Sequence, residues 1–169
     1  MNHETNAEPT TRIFDTETHG FADQFVLWSV RKWVMGHKGS PTALALLESA
    51  YARTSAGGAF AHLDALMRAI TSGAARRIAV HAPCCAAVST DELLLIDAVA
   101  LAQAEVKVDV AFLHRRFLTP AGTRAASAPL KALAAALRDS GLRLTVRSGT
   151  YPLPGAVPLE SIAISTAVH

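Results

Sequence analysis

The stretch R-R-I-A-V-H-A-P-C-C-A-A-V-S-T-D-E-L-L-L-I-D-A-V-A-L-A-Q (76–103) decides how the rest of the 169-residue chain is read. Its second half is a helix with a marked start. Ser89-Thr-Asp-Glu92 is a capping box: the serine oxygen accepts from an exposed N–H three residues on, and the glutamate reaches back to the cap. Asp91 and Glu92 also suit the positive end of the helix dipole. Leucines and alanines then continue the helix to about Gln103. The first half is open to two readings. Ile78 and Val80 alternate and would suit a short strand, whereas Pro83 and the adjacent cysteines suit a turn between helices.

Three helices are expected upstream. Phe21, Phe25 and Trp28 recur at helical spacing over 20–35, with Val26, Val30, Trp33 and Val34 on the adjacent face and Arg31 and Lys32 away from most of the stripe. Holding four of the ten aromatic residues, this segment is expected to be the central packing element. Ser40-Pro41 restarts a helix as N-cap and first position. Leu44, Leu47 and Tyr51 form its apolar face, and Gly57-Gly58 ends it. A third helix spans 59–72, with Phe60, Leu63, Leu66, Met67 and Ile70 inward and Gly73 as its stop.

Downstream, 106–118 satisfies two patterns. Val106, Val108, Val110 and Phe112 alternate as in a strand, yet Val106, Val110, Leu113 and Phe117 follow helical spacing. A further helix is expected over 127–140, closed by Gly141, and 142–147 alternates again. The favoured fold is mostly α: a compact bundle of five or six helices with irregular N- and C-terminal tails. The alternative is α/β, with short strands near 77–81, 106–113 and 142–147. The expected organisation is a flexible acidic leader (1–17), a single helical domain (18–147) and a proline-containing C-terminal extension (148–169).

Composition sets outer limits. Half of the chain is hydrophobic and 18% is charged, too apolar for global disorder. Two cysteines cannot build a disulfide scaffold. The net charge of +2 hides an asymmetry: residues 1–23 carry five acids and one base, the remainder fifteen bases and nine acids. The longest uncharged stretches, 78–90 and 148–159, are too short to span a bilayer, and no signal peptide is visible. The expected location is the cytoplasm, with reduced thiols and no membrane partner.

His81-Ala-Pro-Cys84-Cys85 is the one constellation that carries chemistry. Thiolates and imidazole are the usual ligands of zinc and copper(I), and a turn lets near neighbours converge on one ion. His81, Cys84 and Cys85 are therefore the candidate metal ligands, with zinc as the expected ion. His37, His62, His114 or Asp91 would have to complete a tetrahedral site. A redox reading uses the same atoms. A thiol before a helix N-terminus is acidified, and a disulfide between adjacent cysteines is strained and easily reduced. The plainest reading makes both cysteines small hydrophobes covering a helix end.

A Cys-His nucleophile pair would need an orienting group and an oxyanion hole, and the sequence names neither. No phosphate-loop, dinucleotide or nucleophile-elbow motif occurs. Arg76-Arg77, His114-Arg115-Arg116, Arg138, Arg143 and Arg147 form basic clusters, but aromatic interleaving is sparse, which disfavours a nucleic-acid partner. Tyr151-Pro-Leu-Pro154 is a candidate docking peptide.

The segments F-V-L-W-S-V-R-K-W-V (25–34), L-D-A-L-M-R-A-I (63–70) and the 76–92 turn together resemble a group of short, uncharacterised bacterial proteins. That group carries a P-C-C or P-x-C turn ahead of an S/T-x-D-E helix. The resemblance covers roughly 21–144 and implies a mostly helical domain, with 106–118 as helix and no activity assigned. The Val-x-Val-x-Val run and the long C-terminal extension depart from it. The expectation is thus a small binding or regulatory module whose His/Cys turn binds metal or senses redox state, with a protein partner or a second copy of itself. The alternatives are a thiol-dependent enzyme using Cys84 or Cys85 with a histidine base, and a nucleic-acid-associated protein.

Overall fold

The computed structural model describes residues 12–13 (backbone only), 20–105 and 116–147. Among these residues the chain is mostly helical: α1 (Phe21–His37), α2 (Pro41–Arg53), α3 (Ala59–Gly73), α4 (Thr90–Gln103) and α5 (Pro120–Asp139). Two two-residue strands, β1 (Arg12–Ile13) and β2 (Ala87–Val88), pair antiparallel. The segment before α1 therefore touches the body directly ahead of the α4 cap. The choice between strand and helix over 106–115 lies outside the described residues, as do His114, Tyr151-Pro-Leu-Pro154 and the extension from 148 onward.

The helices form a closed ring of contacts in which α1 packs on α2 and α4, α4 on α5, α5 on α3, and α3 back on α2. The α3–α5 contact is the most extensive. It rests on Gly73 and Gly122, whose backbones meet so closely that a Cβ on either would collide with the other. The most deeply buried member of the ring is α4, where every residue from Asp91 to Ala100 is buried. Its leucines, isoleucine, valine and alanines face the core on every side, and its buried acids, Asp91, Glu92 and Asp97, are each paired with an arginine. The expected central element, α1, is instead the aromatic wall. Phe25 and Trp33 are buried, Trp28 is half-buried and Phe21 is exposed. Phe25 packs on Tyr51 with ring centroids 4.9 Å apart, and burial pushes the Tyr51 hydroxyl up to about 12. Trp33 Nε1 donates to Asp64 at 2.8 Å, so its polar edge is satisfied.

Three local expectations need correction. Ser40 occupies the N-cap of α2, with Pro41 at the first position, but its side chain makes no capping bond. The last helix begins at Pro120, seven residues earlier than the leucine stripe suggests. Thr119 caps it by accepting from Gly122 N, and Pro129 lies inside it. A proline at a helix start has no N–H to lose, so Thr119-Pro120 is the same signal as Ser40-Pro41. Finally, the alternating segments at 77–81 and 142–147 are not strands. Side chains of the helices take their backbone groups instead of a neighbouring strand.

Candidate functional site

The candidate site is a loop strapped across the N-terminus of α4. The Ser89–Glu92 capping box forms as the sequence predicts: Glu92 N donates to Ser89 Oγ at 3.1 Å, and Ser89 N donates to Glu92 Oε2 at 2.8 Å. Its polar groups also reach beyond the helix. Ser89 Oγ donates to the carbonyl of Ala79, Ala79 N donates to Asp91 Oδ2 at 2.8 Å, and His81 N donates to Glu92 Oε1 at 3.0 Å. The first turn of α4 thus acts as a substitute strand edge for 79–81. This is why Ile78 and Val80 alternate without belonging to a sheet.

Arg31, expected on the solvent side of α1, is buried and makes the decisive contact. Its Nε and Nη2 donate to the two Glu92 oxygens at 2.7 and 3.0 Å. Nη1 and Nη2 also donate to the carbonyls of Cys85 and Ala87, each at 2.6 Å. Both side chains are almost wholly removed from water. Glu92 accepts four hydrogen bonds in all, from Arg31 twice, His81 and Ser89, which matches the capacity of a carboxylate. A buried ion pair this completely bonded fixes the loop backbone at four points: 81, 85, 87 and 89. The sequence contained the signal only in part. Glu92 is legible as a capping residue, but nothing in α1 marks Arg31 as its partner sixty-one residues away.

Asp91 lies beside this pair. Arg76 grips it through both Nη atoms, at 2.9 and 2.7 Å. Burial pushes its carboxyl up, but the hydrogen bonds from Arg76 and Ala79 and the Arg76 charge outweigh this and hold it below the ordinary carboxylate range. Asp91 is therefore committed to the strap, and Arg76 is an anchor rather than a phosphate grip. Arg138 pairs with Glu105 and Arg147 with Asp97, so these two residues of the expected basic clusters, like Arg76, are each matched by a carboxylate.

The turn itself is well defined. Cys85 N donates to Ala82 O at 3.0 Å, with Pro83 at the second position of the turn, where its fixed φ belongs. Cys84 is exposed and Cys85 half-buried, and both are free thiols. A cleft of about 280 Å³, bordered by Gln24, Leu27, Trp28, Arg31, Pro83 and Cys85, opens beside the turn. His81 is half-buried, and its buried Nε2 has no hydrogen-bond partner among the described residues. Among the described residues, no group of three His, Cys, Asp or Glu side chains is placed to hold an ion. His37 stacks on Trp33, with ring centroids 3.7 Å apart, and its Nδ1 lies 3.0 Å from the Trp33 carbonyl. His62 is half-buried on α3.

Comparison with family models, with curated proteins and with solved structures finds no match to this chain. Among the described residues, no helix is long and apolar enough to cross a membrane.

Proposed function

We propose that the chain is a small regulatory module that reports thiol chemistry through Cys84 and Cys85. The observation that carries this reading is the clamp of Arg31 on the carbonyls of Cys85 and Ala87. It holds the backbone of the turn while leaving the Cys84 side chain in water and Cys85 at the edge of a cleft. The chemistry is oxidation of the pair by a peroxide. With hydrogen peroxide, both S–H bonds and the O–O bond break, an S–S bond forms, and the two thiol hydrogens leave with the two hydrogens and two oxygens of the peroxide as two waters. A ring closed by adjacent cysteines is strained, and strained disulfides are readily reduced, so the step is reversible by a cellular dithiol. Because Arg31 and Glu92 lie under the turn, a change in its backbone shape is passed to α1 and α4. A protein partner or a second copy would read that change.

The test is mass spectrometry of the intact protein after titration with hydrogen peroxide, followed by a dithiol. The expected result is loss of two hydrogens per chain, restored by the dithiol and absent in Cys84→Ser and Cys85→Ser. Stepwise addition of oxygen to single cysteines, with no internal disulfide, is the contrary result.

A second reading keeps zinc, and the unpartnered Nε2 of His81 favours it. His81, Cys84 and Cys85 are not gathered for an ion in this structure, and the turn would have to bring them together as three ligands of a tetrahedral set, with a fourth from outside the described residues or from a second copy. Elemental analysis of the purified protein, with and without Cys84→Ser and Cys85→Ser, separates the two. Stoichiometric zinc that vanishes in the double variant selects the metal reading.

A further inference from the structure

A second cavity, on the other side of the 76–80 strap, holds about 430 Å³. Its base is formed by Met67, Ile70 and Leu95, all buried, and its sides by the half-buried Val34, Ile78 and Val80. This surface is aliphatic. Among the described residues no aromatic ring borders it, and it offers a flexible methionine rather than a planar slot. Two cations stand at its rim, Lys38 just after α1 and Arg77 on the strap; both are exposed. Among the described residues neither side chain has an ion-pair partner, whereas the neighbouring Arg76 is spent on Asp91. An aliphatic hollow with unneutralised positive charge at its mouth is complementary to one chemical type: a flexible apolar chain ending in an anion.

We infer that this groove binds an acyl carboxylate of medium chain length, with the chain over Met67, Ile70 and Leu95 and the carboxylate between Lys38 and Arg77. The volume falls within the usual range for a small-molecule site. Charge at the rim orients the ligand, and chain burial supplies the affinity. The site shares no residue with the thiol turn, so it stands or falls independently of the reading above.

The experiment is isothermal titration calorimetry of the full chain with octanoate, decanoate and decanol, each below its aggregation concentration. The expected result is tighter binding by about fourfold for each methylene added from octanoate to decanoate. Decanol should bind at least tenfold more weakly than decanoate. The paired substitution Lys38→Glu and Arg77→Glu should remove that preference while leaving decanol unchanged. Thr71→Trp fills the groove from an exposed position on α3 and should abolish binding of both ligands with an unchanged circular dichroism spectrum. Absence of decanoate binding at millimolar concentration overturns the proposal, as does binding indifferent to Thr71→Trp. A wild-type dimer that Thr71→Trp converts to monomer also overturns it, since the groove would then be an interface between copies.

Discussion

Two extended segments lie against the helical ring, and they are held in different ways. The strap at 76–89 crosses the start of α4, and both oxygens of each carboxylate that ties it are hydrogen-bonded. Glu92 accepts four hydrogen bonds and Asp91 three. The strap at 142–147 lies along α1 and the far end of α4. Gln103 there donates to Leu142 O and accepts from Leu144 N, Thr145 N donates to Asp23 at 3.3 Å, and Arg147 pairs with Asp97. Asp23 is completely buried, yet among the described residues its Oδ2 has no partner, and neither has Arg147 Nη1. Buried polar groups stabilise a fold when they are satisfied and cost free energy when they are not. The first strap is therefore a rigid platform for the cysteines, and the second is a looser closure of the same ring.

The contrast can be broken most sharply at its strongest point. Glu92→Ala strands the buried Arg31 charge and removes the cap, so it should lower the unfolding free energy by about 3–5 kcal/mol in urea denaturation. A loss under 1 kcal/mol would mean that the pair does not hold the strap. Asp91→Asn should cost about 1–2 kcal/mol at neutral pH, because Arg76 is partly exposed and only part of its attraction survives solvent screening. Its carboxyl is depressed in the folded state. The stabilisation is therefore present above the unfolded value of about 3.9 and is lost as pH falls through the lower folded value. The gap between wild type and Asp91→Asn should accordingly close under acid. A gap constant to pH 2 would remove Asp91 from the account.

At the second strap the effects should be smaller. Gln103→Ala deletes both bonds to 142–147, at about 1 kcal/mol, and should speed hydrogen exchange of the Leu144 amide with little change in α4. Asp23→Asn should be the mildest, within about 1 kcal/mol of wild type in either direction, because it removes an incompletely bonded buried charge. A penalty as large as that of Glu92→Ala would erase the distinction between the two segments.

These straps also explain what the sequence made legible. Local signals sufficed for Ser89–Glu92, for Pro41 as a helix start and for the leucine and methionine faces of α3, since each depends on residues within one or two turns. Alternation at 77–81 and 142–147 suggests strands, but period two does not say what takes the backbone hydrogen bonds, and neither segment is a strand. Here the acceptors and donors are Asp91, Glu92, Ser89, Gln103 and Asp23, and sequence periodicity gives no means of distinguishing them from strand edges. Arg31 was misplaced for a related reason: a long cation beside an apolar stripe reads as solvent-facing unless its buried acid is known. The turn containing His81, Cys84 and Cys85 was legible as a unit. That its backbone hangs on α1 was not.

The central claim is that Arg31 fixes the cysteine turn. Site-resolved alkylation of the two thiols in wild type and Arg31→Lys tests it directly, because lysine retains the charge facing Glu92 but cannot reach both carbonyls and both carboxylate oxygens at once. The account predicts that Cys84 reacts much faster than Cys85 in the wild type. In Arg31→Lys the Cys85 rate should rise about tenfold toward that of Cys84, with the helical circular dichroism spectrum retained. An unchanged ratio of the two rates in a folded Arg31→Lys protein would contradict it.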